Sequence, residues 1–263
     1  MENKTNKKSQ ITIFVIAGIL IVAIVLLFFF LKSKGDEPER GATSPESILE
    51  TCLKQDVYDA LQVIGEHGGD DNPELGLSFR FENEPAVKIA YLCYTSKDRE
   101  PCTNQEPLLF WKVEREMESY LNDTINYCVD AMGKSLEKKG YAVDIRYFRG
   151  DFEIDINENG IDIKINADMT LSKNNQNKVK KGLKAVFKTK FYDLIYTSRR
   201  IIYDERVSCS FDIASYVGKY PDFSIDREIT LSPDFSKIYT VKTKNSPEIF
   251  RFAVRSCVDQ PGA

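Results

Sequence analysis

Six cysteines, a single histidine and 40 acidic side chains are the raw material for chemistry in this chain. The cysteines are Cys52, Cys93, Cys102, Cys128, Cys209 and Cys257. An even count spread through one region suits oxidation to disulfides outside the cytoplasm. Buried free thiols in a reducing compartment are the competing reading. Cys93 and Cys102 bracket a short polar loop that a bridge closes easily. Cys52 and Cys128 fall on the apolar faces of two segments with helical periodicity, so a bridge between packed helices is plausible geometry. Cys209 and Cys257 are left for each other, in one of the several connectivities that six cysteines allow.

Catalytic chemistry finds little to work with. Every Ser-His-Asp or Cys-His arrangement would have to use His67, which stands beside Gly68-Gly69-Asp70-Asp71. A polar residue in the last turn of a helix explains that position equally well, because the negative end of the helix dipole favours a cation. No C-x-x-C or H-x-x-x-H spacing for zinc and no phosphate-binding glycine loop is present. Asp155-x-Asn157-x-Asn159-Gly160 matches the first half of a calcium loop, but Asn166 stands where a bidentate Glu is required. A glycosidase needs only two carboxylates, and 40 acidic residues nominate no pair. No catalytic residue, metal ligand or cofactor is therefore expected. Asn122-Asp123-Thr124 is a glycosylation sequon within a helical segment. Lys178, Lys180, Lys181, Lys184, Lys188 and Lys190 read as a solvated strand face lying against an acidic one.

The elements that must position these groups follow from periodicity. Thr43 and Glu46 form a capping pattern with Pro45 in the first turn, and apolar residues from Ile48 to Ile64 share one face. Gly68 and Gly69 stop this helix. Residues 108–132 and 191–205 have the same spacing, and residues 78–81, 86–94, 183–189, 227–231, 238–243 and 248–256 read as strands. In residues 152–167, Asn159-Gly160 predicts a two-residue hairpin turn. That register sets Glu158 opposite Ile161, Ile156 opposite Ile163 and Ile154 opposite Ile165, with the isoleucines on one face. The order predicts an α+β fold, with helices on one face of an antiparallel sheet.

Residues 11–31 read ITIFVIAGILIVAIVLLFFFL, uncharged and bracketed by lysines. A helix of this length is roughly 31 Å long, close to the hydrocarbon thickness of a bilayer. The predicted organisation is a short cytoplasmic tail (residues 1–10), a transmembrane helix (11–31), a linker (32–44) and an ectodomain (45–263), with a possible subdivision near 133–140. Lys and Arg balance across the run, so the cysteines place the carboxy-terminal domain outside the cytoplasm. The net charge of −4 argues against a general nucleic-acid binder.

The segment Lys7-Lys8-Ser9-Gln10-Ile11-Thr12-Ile13-Phe14, together with Gly68-Gly69 and residues 250–255 (FRFAVR), resembles a group of functionally uncharacterised archaeal single-span surface proteins. The opening is also similar to archaeal type IV pilin-like amino termini. That resemblance implies processing before Gln10, although Phe14 stands where such chains usually carry Glu. The function expected is a membrane-anchored extracytoplasmic binding or assembly protein. Its partners would be the lipid bilayer, through residues 11–31, and a surface protein or glycan. A membrane-tethered hydrolase using carboxylates and a filament subunit are the alternatives.

Overall fold

The structure, a computed structural model, describes residues 44–82, 84–231 and 234–258. Residues from Pro45 onward form one compact unit. Three long helices lie between two sheets. They are α1 (Pro45–Glu66), α2 (Leu109–Lys138) and α3 (Phe191–Ser208). The larger sheet has the order β1-β2-β9-β8-β7, from β1 (Gly76–Arg80), β2 (Ala86–Tyr94), β7 (Phe223–Ile229), β8 (Lys237–Thr243) and β9 (Ile249–Arg255). A two-residue strand, β3 (Thr103–Asn104), pairs with β2. The smaller sheet is an antiparallel meander of β4 (Ala142–Asn157), β5 (Gly160–Lys173) and β6 (Gln176–Phe187). A seven-residue helix, α4 (Ile213–Lys219), precedes β7.

This architecture corrects the predicted one. The α+β class holds, but helices do not cover one face of a single antiparallel sheet. They fill the layer between two sheets: α1 packs on β9 of the large sheet and on β6 of the small one. β2 and β9 run parallel, joining the two ends of the unit across more than 150 residues of chain. The predicted transmembrane helix is not part of the described fold. Among the described residues no helix is long and apolar enough to cross a membrane. Residues 11–31, the linker up to residue 43, Thr43 and Gln10 lie outside the described residues.

The core follows the sequence periodicity. Leu49, Leu53, Val57, Leu61 and Ile64 of α1 meet Val113, Met117, Leu121, Ile125 and Met132 of α2, all fully buried. Cys52 and Cys128 sit on these facing surfaces and are bridged, with Cα atoms 5.8 Å apart. Cys93–Cys102 closes the loop between β2 and β3, and Cys209–Cys257 ties the end of α3 to the residue following Ser256 beyond β9, at Cα separations of 5.3 and 5.7 Å. Among the described residues no cysteine is free.

The β4–β5 hairpin keeps its isoleucines on one face but shifts the expected register by two residues. Ile156 pairs with Ile161 and Ile154 with Ile163, so the turn is Glu158-Asn159 and Gly160 already belongs to β5. Gly160, at φ +129°, is required for a different reason: a Cβ there would collide with the carbonyl oxygen of Phe187 in β6. The turn with two positive φ angles is the next one, Asn174-Asn175 at +52° and +62°, which connects β5 to β6.

Helix glutamates take backbone donors on both edge strands of the small sheet. Ile154 and Ile156 of β4 donate backbone N–H groups to Glu118 and Glu114 of α2 at 3.3 and 3.0 Å. Val186 of β6 donates to Glu50 of α1 at 3.2 Å. An unpaired strand edge invites pairing with another chain, and these carboxylates occupy the donors of Ile154, Ile156 and Val186.

Candidate functional site

Helix α3 carries two different surfaces. Phe191, Leu194, Ile195, Ile201 and Ile202 face the core. Tyr192, Tyr196, Arg199, Tyr203 and Arg206 recur at four- and three-residue steps on the outside, where Tyr196 and Tyr203 remain 58% and 52% exposed. Exposed rings also stand on other elements, at Trp111, Tyr127 and Phe148.

The carboxy-terminal end of this helix is fixed by a buried ionic network. Glu205 is fully buried and accepts from Tyr239 Oη at 2.5 Å and from Lys237 Nζ at 2.7 Å. Lys237 also donates to the Cys209 carbonyl at 2.6 Å, and Ser256 Oγ donates to the Glu205 carbonyl at 3.0 Å. Burial, with the Glu205 carboxylate beside it, pushes the Tyr239 phenol well above its ordinary range, so it stays protonated and donates. Together with the Cys209–Cys257 bridge, this holds the α3 terminus against β8 and β9.

Beyond the bridge, Asp212 caps α4, accepting from the Ser215 N–H at 3.0 Å and the Ser215 hydroxyl at 2.6 Å. Those bonds hold the Asp212 carboxyl below its usual range. α4 has no fully buried residue. Rings attach it instead: Tyr216 lies 5.4 Å from Phe211 and 6.0 Å from Phe223 between centroids, and 4.8 Å from Tyr220 on its own helix. The Thr197 and Tyr216 hydroxyls meet at 3.0 Å.

Between α3 and α4 lies an open cleft of about 690 Å³, walled by Tyr196, Tyr216, Tyr220 and Phe223. Its three carboxylates are already engaged. Asp193 pairs with Lys190 at 3.2 Å, Asp204 with Arg200 at 3.2 Å, and Asp212 holds Ser215. A smaller groove of about 270 Å³ runs along the neighbouring flank of α3, lined by Arg199, Arg206, Tyr203, Asn104 and the shared Tyr196 and Arg200. Chemically, this is a surface of stacking faces and preformed hydrogen-bonding groups.

The residues singled out in the sequence lie elsewhere. His67 donates from Nδ1 to the Asp71 carbonyl at 3.0 Å, a local turn contact. Asp70, Asp71 and Glu116 converge within 4.8 Å, but Lys112 already binds Asp70 at 2.7 Å and Glu106 at 3.0 Å. In the calcium-like stretch, the Asn157 amide nitrogen sits between Asp155 and Asp162 at 3.4 Å from each. Lys164 and Lys184 reach the same two carboxylates. Of the lysine run, Lys184 meets the hairpin through Asp162 and Lys180 pairs with Glu46 of α1, while Lys178, Lys181 and Lys188 have no ion pair among the described residues. Asn122 is half-buried in α2 with its amide on Asp123 at 3.2 Å. Tyr91 and Ser236 both donate to Asp234, which also faces Arg255; Tyr91 and Ser236 are buried, and the Asp234 side chain stays 31% exposed. Sequence reasoning did not find the outer face of α3. The signal was present as the 192, 196, 199, 203, 206 periodicity, hidden behind the stronger apolar stripe of the same helix.

No family model, no curated protein and no solved structure matches this chain.

Proposed function

We propose that this chain is an extracytoplasmic binding protein, held at a membrane through residues 11–31, that recognises its ligand on α3 and α4. The observation that carries this reading is the tyrosine-walled cleft, open to solvent, in which every lining carboxylate already has a partner. Ring faces offer stacking area, and fixed polar pairs offer orientation, which is how a binding site works without chemistry of its own. Its supports for placement are the three cysteine bridges, which suit an oxidising compartment, and the lysine-bracketed apolar run of the sequence.

The test is to present the full chain, in nanodiscs of zwitterionic lipid, to an array of oligosaccharides. Retention of a defined set, lost in Tyr196→Ala and in Tyr220→Ala, is the expected result. Equal retention by wild type and both variants would remove the cleft from the function. Release of free reducing sugar by the wild type would favour the hydrolase instead.

A further inference from the structure

The groove on the outer flank of α3 contains three arginines and no acidic residue. Arg200 is committed within its own helix. Its Nε and Nη2 lie 3.2 Å from the two oxygens of Asp204, and its guanidinium covers Tyr203 at 5.5 Å. Arg199 and Arg206 differ. Both are exposed, and neither has an ion-pair partner among the described residues. Arg199 is backed by the ring of Phe110 at 5.7 Å from the guanidinium carbon, and Phe110 in turn packs on Tyr192 at 4.9 Å. A guanidinium held against a ring keeps its planar fork turned outward, the geometry that engages carboxylate or sulfate through paired hydrogen bonds.

Spacing narrows the ligand. Along the groove side of α3, Tyr196, Arg199, Tyr203 and Arg206 alternate ring and cation, with the exposed Arg200 beside them paired to Asp204. Each ring and each cation is followed by its like seven residues later, which is two helical turns or roughly 10 Å. Two linked pyranose rings cover about this distance along an extended polysaccharide. The alternation then matches a sugar chain that carries an anionic group on every second unit. A peptide of alternating charge would present its acids at much shorter intervals, about 7 Å.

On the basis of the recognition surface already described, we propose that the outer groove of α3 binds an acidic polysaccharide, its sugar rings on Tyr196 and Tyr203 and its anionic groups on Arg199 and Arg206. The shared chemistry is an oxyanion, supplied by a carboxylate or by a sulfate ester. Arg200 keeps Tyr203 in position and does not touch the ligand.

Isothermal titration of the full chain in zwitterionic nanodiscs tests this with four probes. They are an oligosaccharide with a carboxylate on alternate sugars, its sulfated counterpart, a neutral oligosaccharide of equal length and a single-stranded oligonucleotide. One acidic oligosaccharide is expected to bind at least about tenfold tighter than the neutral one, and Arg199→Gln or Arg206→Gln should each remove about tenfold of that affinity. The preference between carboxylate and sulfate names the anion. Both substitutions are at exposed positions, and an unchanged melting curve verifies that the variants fold. Equal binding of the neutral probe, unaffected by either arginine variant, overturns the anionic assignment while leaving the recognition surface standing. Failure of every oligosaccharide to bind overturns both. Tightest binding by the oligonucleotide overturns the polysaccharide assignment.

Discussion

The hydroxyls of Thr197 on α3 and Tyr216 on α4 lie 3.0 Å apart, and this contact joins the two walls of the cleft. Because α4 contributes no fully buried residue, its position depends on this bond and on the rings of Phe211, Tyr216 and Phe223. Thr197→Val keeps the shape and leaves the half-buried phenol without its partner. We expect a loss of about 1 kcal/mol in urea unfolding, with a larger proportional loss of ligand affinity as α4 loosens.

Glu205 is the buried charge on which the end of α3 depends. Glu205→Gln leaves Lys237 without a counter-ion in a site where only 17% of its side chain reaches solvent. Breaking a buried pair from one side costs about 3 kcal/mol or more. Tyr239→Phe removes one neutral donor from the same carboxylate and should cost about 1 kcal/mol. Differential scanning calorimetry should rank the two variants in that order.

Alkaline pH should weaken the fold through two phenols. Burial, the largest influence on each, raises Tyr91 and Tyr239 well above their unfolded range, with Asp234 and Glu205 acting in the same direction. The folded state then holds these protons more tightly than the unfolded state does. Stability is therefore fully present below about pH 10 and falls as pH rises beyond it. Tyr239→Phe should flatten the fall in stability measured by denaturant titration between neutral and strongly alkaline pH.

Glu114 carries the opposite lesson on the acid side. Burial, chiefly, raises its carboxyl, and the Ile156 N–H opposes the rise. A carboxylate raised in the folded state disfavours folding once it ionises, so its contribution worsens as pH rises through the acid range. Glu114→Gln keeps an oxygen to accept the Ile156 N–H and removes the charge. The variant should match or exceed wild-type stability at neutral pH, with its advantage gone by about pH 3.

The cysteine bridges should differ in weight. Cys52–Cys128 and Cys209–Cys257 close spans of 76 and 48 residues, and Cys93–Cys102 closes only 9. On a loop-entropy basis the two long closures contribute about 4 kcal/mol each and the short one about 2.5–3 kcal/mol. Paired Cys→Ala variants compared in guanidinium should show the Cys93–Cys102 pair as the mildest. Intact mass after alkylation without reductant should show no labelled thiols, and six labels would remove the bridges from the account.

Much of the interior was legible in the sequence because burial writes itself as periodicity. The faces of α1 and α2 that carry Cys52 and Cys128, and the isoleucine face of the β4–β5 hairpin, follow from spacing alone. What spacing does not carry is long-range pairing. The parallel β2–β9 match, and the division into two sheets with helices between them, depend on contacts far apart in the chain. Gly160 illustrates a local signal with a nonlocal cause: it looks like a turn residue and is in fact demanded by the approach of Phe187. Asn174-Asn175, the pair that does adopt the mirror-image turn conformation, lacks the glycine that usually announces it. The outer face of α3 was harder still, since its tyrosines and arginines resemble ordinary solvated residues until Tyr196 and Arg200 are seen to share a cleft with α4.

The claim on which the rest depends is that ligand lies on α3 and α4. Hydroxyl-radical footprinting of the full chain, with and without a bound acidic oligosaccharide, reads this residue by residue. Tyr127 and Phe148, 68% and 81% exposed on other surfaces, serve as internal controls for Tyr196, Tyr203 and Tyr220. Ligand should protect Tyr196 and Tyr203 from oxidation, with Tyr220 also shielded where the ligand enters the cleft, while Tyr127 and Phe148 oxidise unchanged. Protection of the controls with Tyr196 and Tyr203 left fully reactive would contradict it.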